Sequence, residues 1–187
     1  MTSIPNLLTM SRIAAVPVMI AVMLMFEGAT ASWLAFAVYF YACVTDFFDG
    51  YVARALNEQS PLGRFLDPIA DKLLVGAVLM LLAGYDKIGG WTLLPALIIL
   101  MREILVSGLR EFLAELHVSV PVSRLAKWKT TIQMLALGFL IVGEHSPEMI
   151  PSVMIGEFGI WAAALLTLIT GYDYLRAGLK HIAGSGD

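Results

Sequence analysis

Asp46-Phe47-Phe48-Asp49-Gly50-Tyr51-Val52-Ala53-Arg54 closes one apolar run of this 187-residue chain, and Gly63, Asp67 and Asp71 open the next. Asp46 and Asp49 stand at i,i+3, and Asp67 and Asp71 at i,i+4, so on helices each pair shares one face. A carboxylate inside an apolar segment costs several kcal/mol unless it is satisfied, which makes such acids markers of function. A short connection between the two runs brings their helices together antiparallel, and four acids then converge at one end of a bundle. Four clustered carboxylates repel one another and call for a cation. Hard oxygen ligands suit Mg²⁺ or Mn²⁺, and Mg²⁺ is usually shared with a phosphate-bearing ligand. Gly50 and Ala53 lie on the stripe of Asp46, where small side chains let a substrate approach the backbone. Gly63 is placed to serve the turn into the next helix. The plainer alternative is that the acids form interfacial salt bridges with Arg54, Arg64 and Lys72. That reading leaves the two acid pairs and the small residues on their face unexplained.

Working outward, six segments are long and apolar enough to span a bilayer, which needs roughly 20 residues. They are Leu7–Phe26, Trp33–Arg54, Asp67–Gly84, Trp91–Phe112, Leu125–Gly143 and Val153–Arg176. Ile4-Pro5-Asn6 reads as the helix-breaking stretch before the first. The predicted architecture is an all-α integral membrane protein, one domain over residues 1–187, with six transmembrane helices and a polar site facing the cytoplasm. Lys and Arg placement sets the orientation. With the N-terminus inside, Arg12, Arg54, Arg64, Lys72, Arg102, Arg110, Arg124, Lys127, Lys129, Arg176 and Lys180 fall on the inner side, and Lys87 alone on the outer. Both termini and the four acids are therefore expected at the cytoplasmic face of the membrane. Trp33, Trp91 and Tyr85 fall near the outer boundaries, where interfacial aromatics belong. Ala29-Thr30-Ala31 has the look of a signal-peptidase site, but no basic region precedes the first apolar run, so no cleavage is expected.

Composition narrows the class further. The chain is 59% hydrophobic and 14% charged with a net charge of −3, too apolar for an ordinary soluble domain and without the basic balance of a nucleic-acid binder. Cys43 is the one cysteine, which excludes an intrachain disulfide and a thiolate metal cluster. His117, His145 and His181 lie far apart, with no spacing for a histidine metal site. They read as interfacial or loop residues. Neither a phosphate-binding G-x-x-x-x-G-K-[ST] loop nor a G-x-S-x-G elbow is present.

The residues from Asp46 to Asp71 match every fixed position of the signature D-x2-D-G-x2-A-R-x8-G-x3-D-x3-D. In this the chain resembles the CDP-alcohol phosphatidyltransferase family. The resemblance implies a six-helix membrane fold, a homodimer among membrane lipids, and phosphatidyl transfer from CDP-diacylglycerol with loss of CMP. It implies Asp46, Asp49 and Asp67 as metal ligands, and Asp71 as general base that also belongs to the metal site. Gly50, Ala53, Arg54, Ser60 and Gly63 would line the CDP-lipid site. Thr9 and Arg12, within Asn6-Leu7-Leu8-Thr9-Met10-Ser11-Arg12, look similarly placed for the diphosphate.

The acceptor has to be read from elsewhere. Glu103, Ser107 and Arg110 share a stripe of the fourth segment, and Ser123-Arg124-Leu125-Ala126-Lys127-Trp128-Lys129 opens the fifth. On the plain reading Glu103 pairs with a nearby Arg and the cations are topology signals. Taken together, Arg110, Ser123, Lys127, Lys129 and Arg176 make a polar, cationic ring suited to a phosphate on the acceptor. The stretches Met101–Phe112 and Lys127–Met134 and the opening Ile4–Arg12 resemble those of the bacterial family members that make phosphatidylglycerophosphate. The expected acceptor is then sn-glycerol-3-phosphate. The same chemistry on inositol phosphate, serine or phosphatidylglycerol, and an ion-coupled transporter, are the alternatives.

Overall fold

The computed structural model describes residues 4–56, 61–116, 118 and 124–184. They form six α-helices: α1 (Ile4–Met25), α2 (Gly28–Leu56), α3 (Pro61–Gly84), α4 (Leu93–Glu115), α5 (Arg124–Val142) and α6 (Ser152–Gly184). No strand occurs among the described residues. Five of the helices are long and apolar enough to cross a membrane; α3, with Asp67, Asp71 and Lys72 in its first half, falls short of that measure. Hydrogen bonds internal to a helix satisfy its backbone without water, which is why a chain this apolar is helical throughout its spans.

The helices run beyond the apolar segments from which they are predicted. α1 opens at Ile4, three residues before Leu7, because Pro5 lies in the first turn. There its missing N–H removes no hydrogen bond and its fixed φ suits the helix. α3 likewise opens at Pro61, so Gly63 lies in its first turn and not in a turn before it. Ala29-Thr30-Ala31 lies in the first turn of α2. Only Phe26 and Glu27 separate α1 from α2, and Gly28 takes a φ of +59°, a left-handed backbone that a Cβ disfavours.

The chain divides into two compact units. The first comprises Met1–Ile88 and Leu137–Gly156, the second Gly89–Ala136 and Glu157–Asp187. In the first, α1 packs on both α2 and α3, burying Met19, Met23, Ala35, Ala42, Leu74, Val78 and Leu82. A polar network closes the end of this unit remote from the aspartates. Lys87 Nζ donates to Ser32 Oγ (2.9 Å) and to the Ile141 carbonyl (2.7 Å). Ser32 Oγ lies 3.2 Å from His145 Nδ1, and Trp33 Nε1 donates to the His145 carbonyl (3.1 Å). His145 thus stands in a loop, as its sequence context suggests, and helps to tie that loop to α2.

In the second unit α5 and α6 meet through small residues. A Cβ built on Gly159 would lie 2.7 Å from Ala136 Cβ, closer than two carbons can sit. Gly159→Val is therefore expected to destabilise the protein by about 1–3 kcal/mol through overpacking. A lower thermal midpoint in detergent, partly restored by adding Ala136→Gly, is the expected result. An unchanged midpoint would mean that the contact has room to relax.

Candidate active site

In the first unit two of the four acids, Asp46 and Asp71, meet on a common partner. Asp46, Asp49, Gly50, Ala53 and Arg54 lie in the last turns of α2, and Asp67 and Asp71 in the first half of α3. α1 contacts both helices and presents Thr9 and Arg12, one turn apart and each 1% exposed. Thr9 Oγ1 donates to Asp67 Oδ1 at 2.6 Å. Arg12 Nη1 lies 2.7 Å from Asp46 Oδ1 and 2.5 Å from Asp71 Oδ1, so one guanidinium nitrogen bridges acids from α2 and α3.

The burial of these groups is graded. The Arg12 side chain is 2% exposed, that of Asp46 31% and that of Asp71 51%. The cation is the buried partner, and the two carboxylates keep exposed faces. Charge-assisted hydrogen bonds of this kind fix the carboxylates in position. Among the described side chains, Arg12 sets one positive charge against the two carboxylates that it bridges. Of the cations in the salt-bridge alternative, Lys72 donates its ammonium to the Pro68 carbonyl at 3.0 Å, and the side chains of Arg54 and Arg64 lie outside the described set.

Among the described residues no group of three or more acidic, histidine or cysteine side chains is gathered closely enough to hold an ion by itself. The side chains of Asp49, Gly50, Ala53 and Arg54 lie outside the described set, although their backbones belong to α2. Hard carboxylate oxygens and exposed faces on Asp46 and Asp71 nonetheless fit a divalent cation that completes its shell with phosphate oxygens and water. Gly63 is buried. Ser60 and Ser123 lie outside the described residues.

The cations read as an acceptor ring belong to the second unit, and each has a distinct setting. Lys127 and Arg176 are exposed. The Arg110 guanidinium lies 5.7 Å from the centroid of the Tyr174 ring, a cation–π distance. Lys129 is buried and ion-paired with Glu103. Glu103 also receives Arg102 Nη1 at 3.3 Å, and Arg102 Nη2 donates to Thr170 Oγ1 at 3.2 Å. Glu103 does pair with its neighbouring Arg, as the plain reading has it. Its second partner on α5, together with Tyr174 and Thr170, was not readable from the pattern. The one signal was a deep acid in need of a counter-charge.

Comparison with known proteins agrees with the pattern. The family model described as CDP-alcohol phosphatidyltransferase matches residues 2–169. A relative from Rickettsia bellii is 48% identical over 179 residues, covering 96% of this chain and 97% of its own. One from Cereibacter sphaeroides is 40% identical, with 96% and 97% covered, and one from Pseudomonas fluorescens 40% identical, with 98% and 94% covered. Each of the three is named CDP-diacylglycerol–glycerol-3-phosphate 3-phosphatidyltransferase.

Proposed function

The chain belongs to the CDP-alcohol phosphatidyltransferase family, and from that premise we propose that it transfers the phosphatidyl group of CDP-diacylglycerol to sn-glycerol-3-phosphate, giving phosphatidylglycerophosphate and CMP. The observation that carries this reading is the meeting of Asp46 and Asp71 on Arg12, while Asp67, on the same helix as Asp71, is held by Thr9 of α1. Support for the acceptor comes from the names of the relatives, which span nearly the whole chain, and from the cations of the second unit.

In the proposed reaction the acceptor hydroxyl attacks the lipid-side phosphorus of the diphosphate. The new P–O bond forms as the bond to CMP breaks, and CMP leaves with the bonding pair. Asp71 accepts the hydroxyl proton as attack proceeds, which an uncharged alcohol needs near neutral pH. Asp46, Asp49, Asp67 and Asp71 would hold a divalent cation, Mg²⁺ or Mn²⁺, whose charge would offset that of the diphosphate and of departing CMP. Thr9 orients Asp67, and Arg12 orients Asp46 and Asp71. Arg54, Ser60, Gly50, Ala53 and Gly63 line the CDP-lipid site, Arg54 as a charge-assisted clamp on phosphate oxygens. Arg110, Ser123, Lys127, Lys129 and Arg176 receive the acceptor phosphate. The placement of eleven cations against Lys87 supports a site and termini that face the cytoplasm of a bacterial inner membrane. We take the working unit to be a homodimer.

The test is CMP release by the detergent-purified protein with Mg²⁺ and CDP-diacylglycerol. Glycerol-3-phosphate, inositol-1-phosphate, serine and phosphatidylglycerol are supplied separately. Release with glycerol-3-phosphate alone is expected. Release with a different acceptor would keep the donor chemistry and overturn the reading of the cations. No release by folded protein with any of them would return ion-coupled transport to the front.

A further inference from the structure

Glu103 has no part in the chemistry above, yet it is a carboxylate deep in the apolar helix α4, with its side chain 19% exposed. Its two cationic neighbours are Arg102, 15% exposed in its side chain, and Lys129 of α5, 6% exposed. Arg102 reaches on to Thr170 of α6, so polar side chains from three helices meet around one acid. Burying such a group is costly, and a well-packed apolar set of similar volume often holds helices together as well or better. Cohesion alone is thus a weak reason for the cluster.

Two further features point to a ligand. The cluster has two cations against one acid, a surplus positive charge in apolar surroundings that an anion would neutralise. The Lys129 ammonium has three donors, and Glu103 accepts one of them. Nearby atoms are also unsatisfied: Arg102 Nε, Gln133 Oε1 and Thr167 Oγ1 are buried without a hydrogen-bond partner. Gln133 lies one turn from Lys129 on α5, and Thr167 one turn from Thr170 on α6. Buried polar groups are rarely left unpaired in a purely structural network.

We propose that Glu103 is a positioning residue for the acceptor: it holds the Lys129 ammonium on the buried face of α5 so that Lys129 meets the acceptor's phosphate in a fixed place. The proposal rests on Lys129 being an acceptor-phosphate ligand. A lysine side chain otherwise loses much rotamer freedom on binding, and fixing it beforehand lowers that cost.

The experiment compares Glu103→Ala, Glu103→Gln and Lys129→Met in the full chain, with KM for each substrate, kcat and thermal midpoint. Glu103→Ala is expected to raise KM for glycerol-3-phosphate about ten-fold or more, with KM for CDP-diacylglycerol within about two-fold. Glu103→Gln, which keeps an oxygen acceptor but not the charge, is expected to raise it about three-fold. A lower kcat or midpoint in Glu103→Ala with both KM values unchanged would overturn the proposal in favour of a structural role. If Glu103→Ala does not fold, Glu103→Gln decides, and an unchanged KM for glycerol-3-phosphate in it overturns the proposal. A Lys129→Met variant with an unchanged KM for glycerol-3-phosphate removes the acceptor assignment, and the proposal with it. A raised KM in Lys129→Met but not in the Glu103 variants overturns the proposal alone.

Discussion

Asp71→Asn is expected to lower turnover by about 10²–10⁴-fold, the usual contribution of a positioned general base, while CDP-lipid binding stays within a few-fold of the parent. The substitution is nearly isosteric. The amide oxygen still accepts from Arg12 Nη1, which now lies 2.5 Å from the Asp71 oxygen, so the local packing is retained. What is lost is the basic oxygen pair on a side chain that is half exposed and open to an incoming hydroxyl. Single-turnover CMP release and equilibrium binding of CDP-diacylglycerol, measured on the same preparation, separate the two effects. Parallel loss of binding and turnover would show that Asp71 acts chiefly through the cation or the substrate and count against its role as base.

Arg12→Met carries the other large effect, and on stability as well as activity. Arg12 is almost fully buried and bridges Asp46 and Asp71. Removing one partner of a buried ion pair typically costs about 3–5 kcal/mol, because an uncompensated charge stays behind. Both carboxylates here are partly exposed, which reduces the cost to about 2–4 kcal/mol after allowance for solvent screening. A divalent cation bound by the same carboxylates would offset the lost charge, and binding to the folded state stabilises by mass action. The variant should therefore melt well below the parent in chelator and gain more from added Mg²⁺ than the parent does. An equal Mg²⁺ shift in both proteins would show that Arg12 and the cation do not share those carboxylates.

Much of this was legible in the chain itself, for a physical reason in each case. An apolar run must satisfy its backbone internally, so six such runs in a bilayer mean six helices. Their ends were less legible: Pro5 and Pro61 open helices before the apolar residues begin, since a helix boundary depends on caps and local geometry more than on hydropathy. Asp46, Asp49, Asp67 and Asp71 stood out because a membrane segment tolerates acids only for a reason. The Glu103–Lys129 pair was half legible. The acid announced a need for a counter-charge, but which cation of another helix would meet it depends on how helices rotate against each other.

Arg12 shows the boundary most clearly. By position it matched a residue expected at the diphosphate, and its charge alone fitted that expectation. In the folded first unit its guanidinium lies between two acids that stand 34 and 59 residues further along the chain. The sequence by itself determined the membrane class, the helical architecture and the acids that must share one end of it, because burial costs and helical periodicity act on every residue locally. Only the tertiary structure decided which cation each acid meets, because such a pairing depends on the packing of side chains between helices, and no local spacing encodes that.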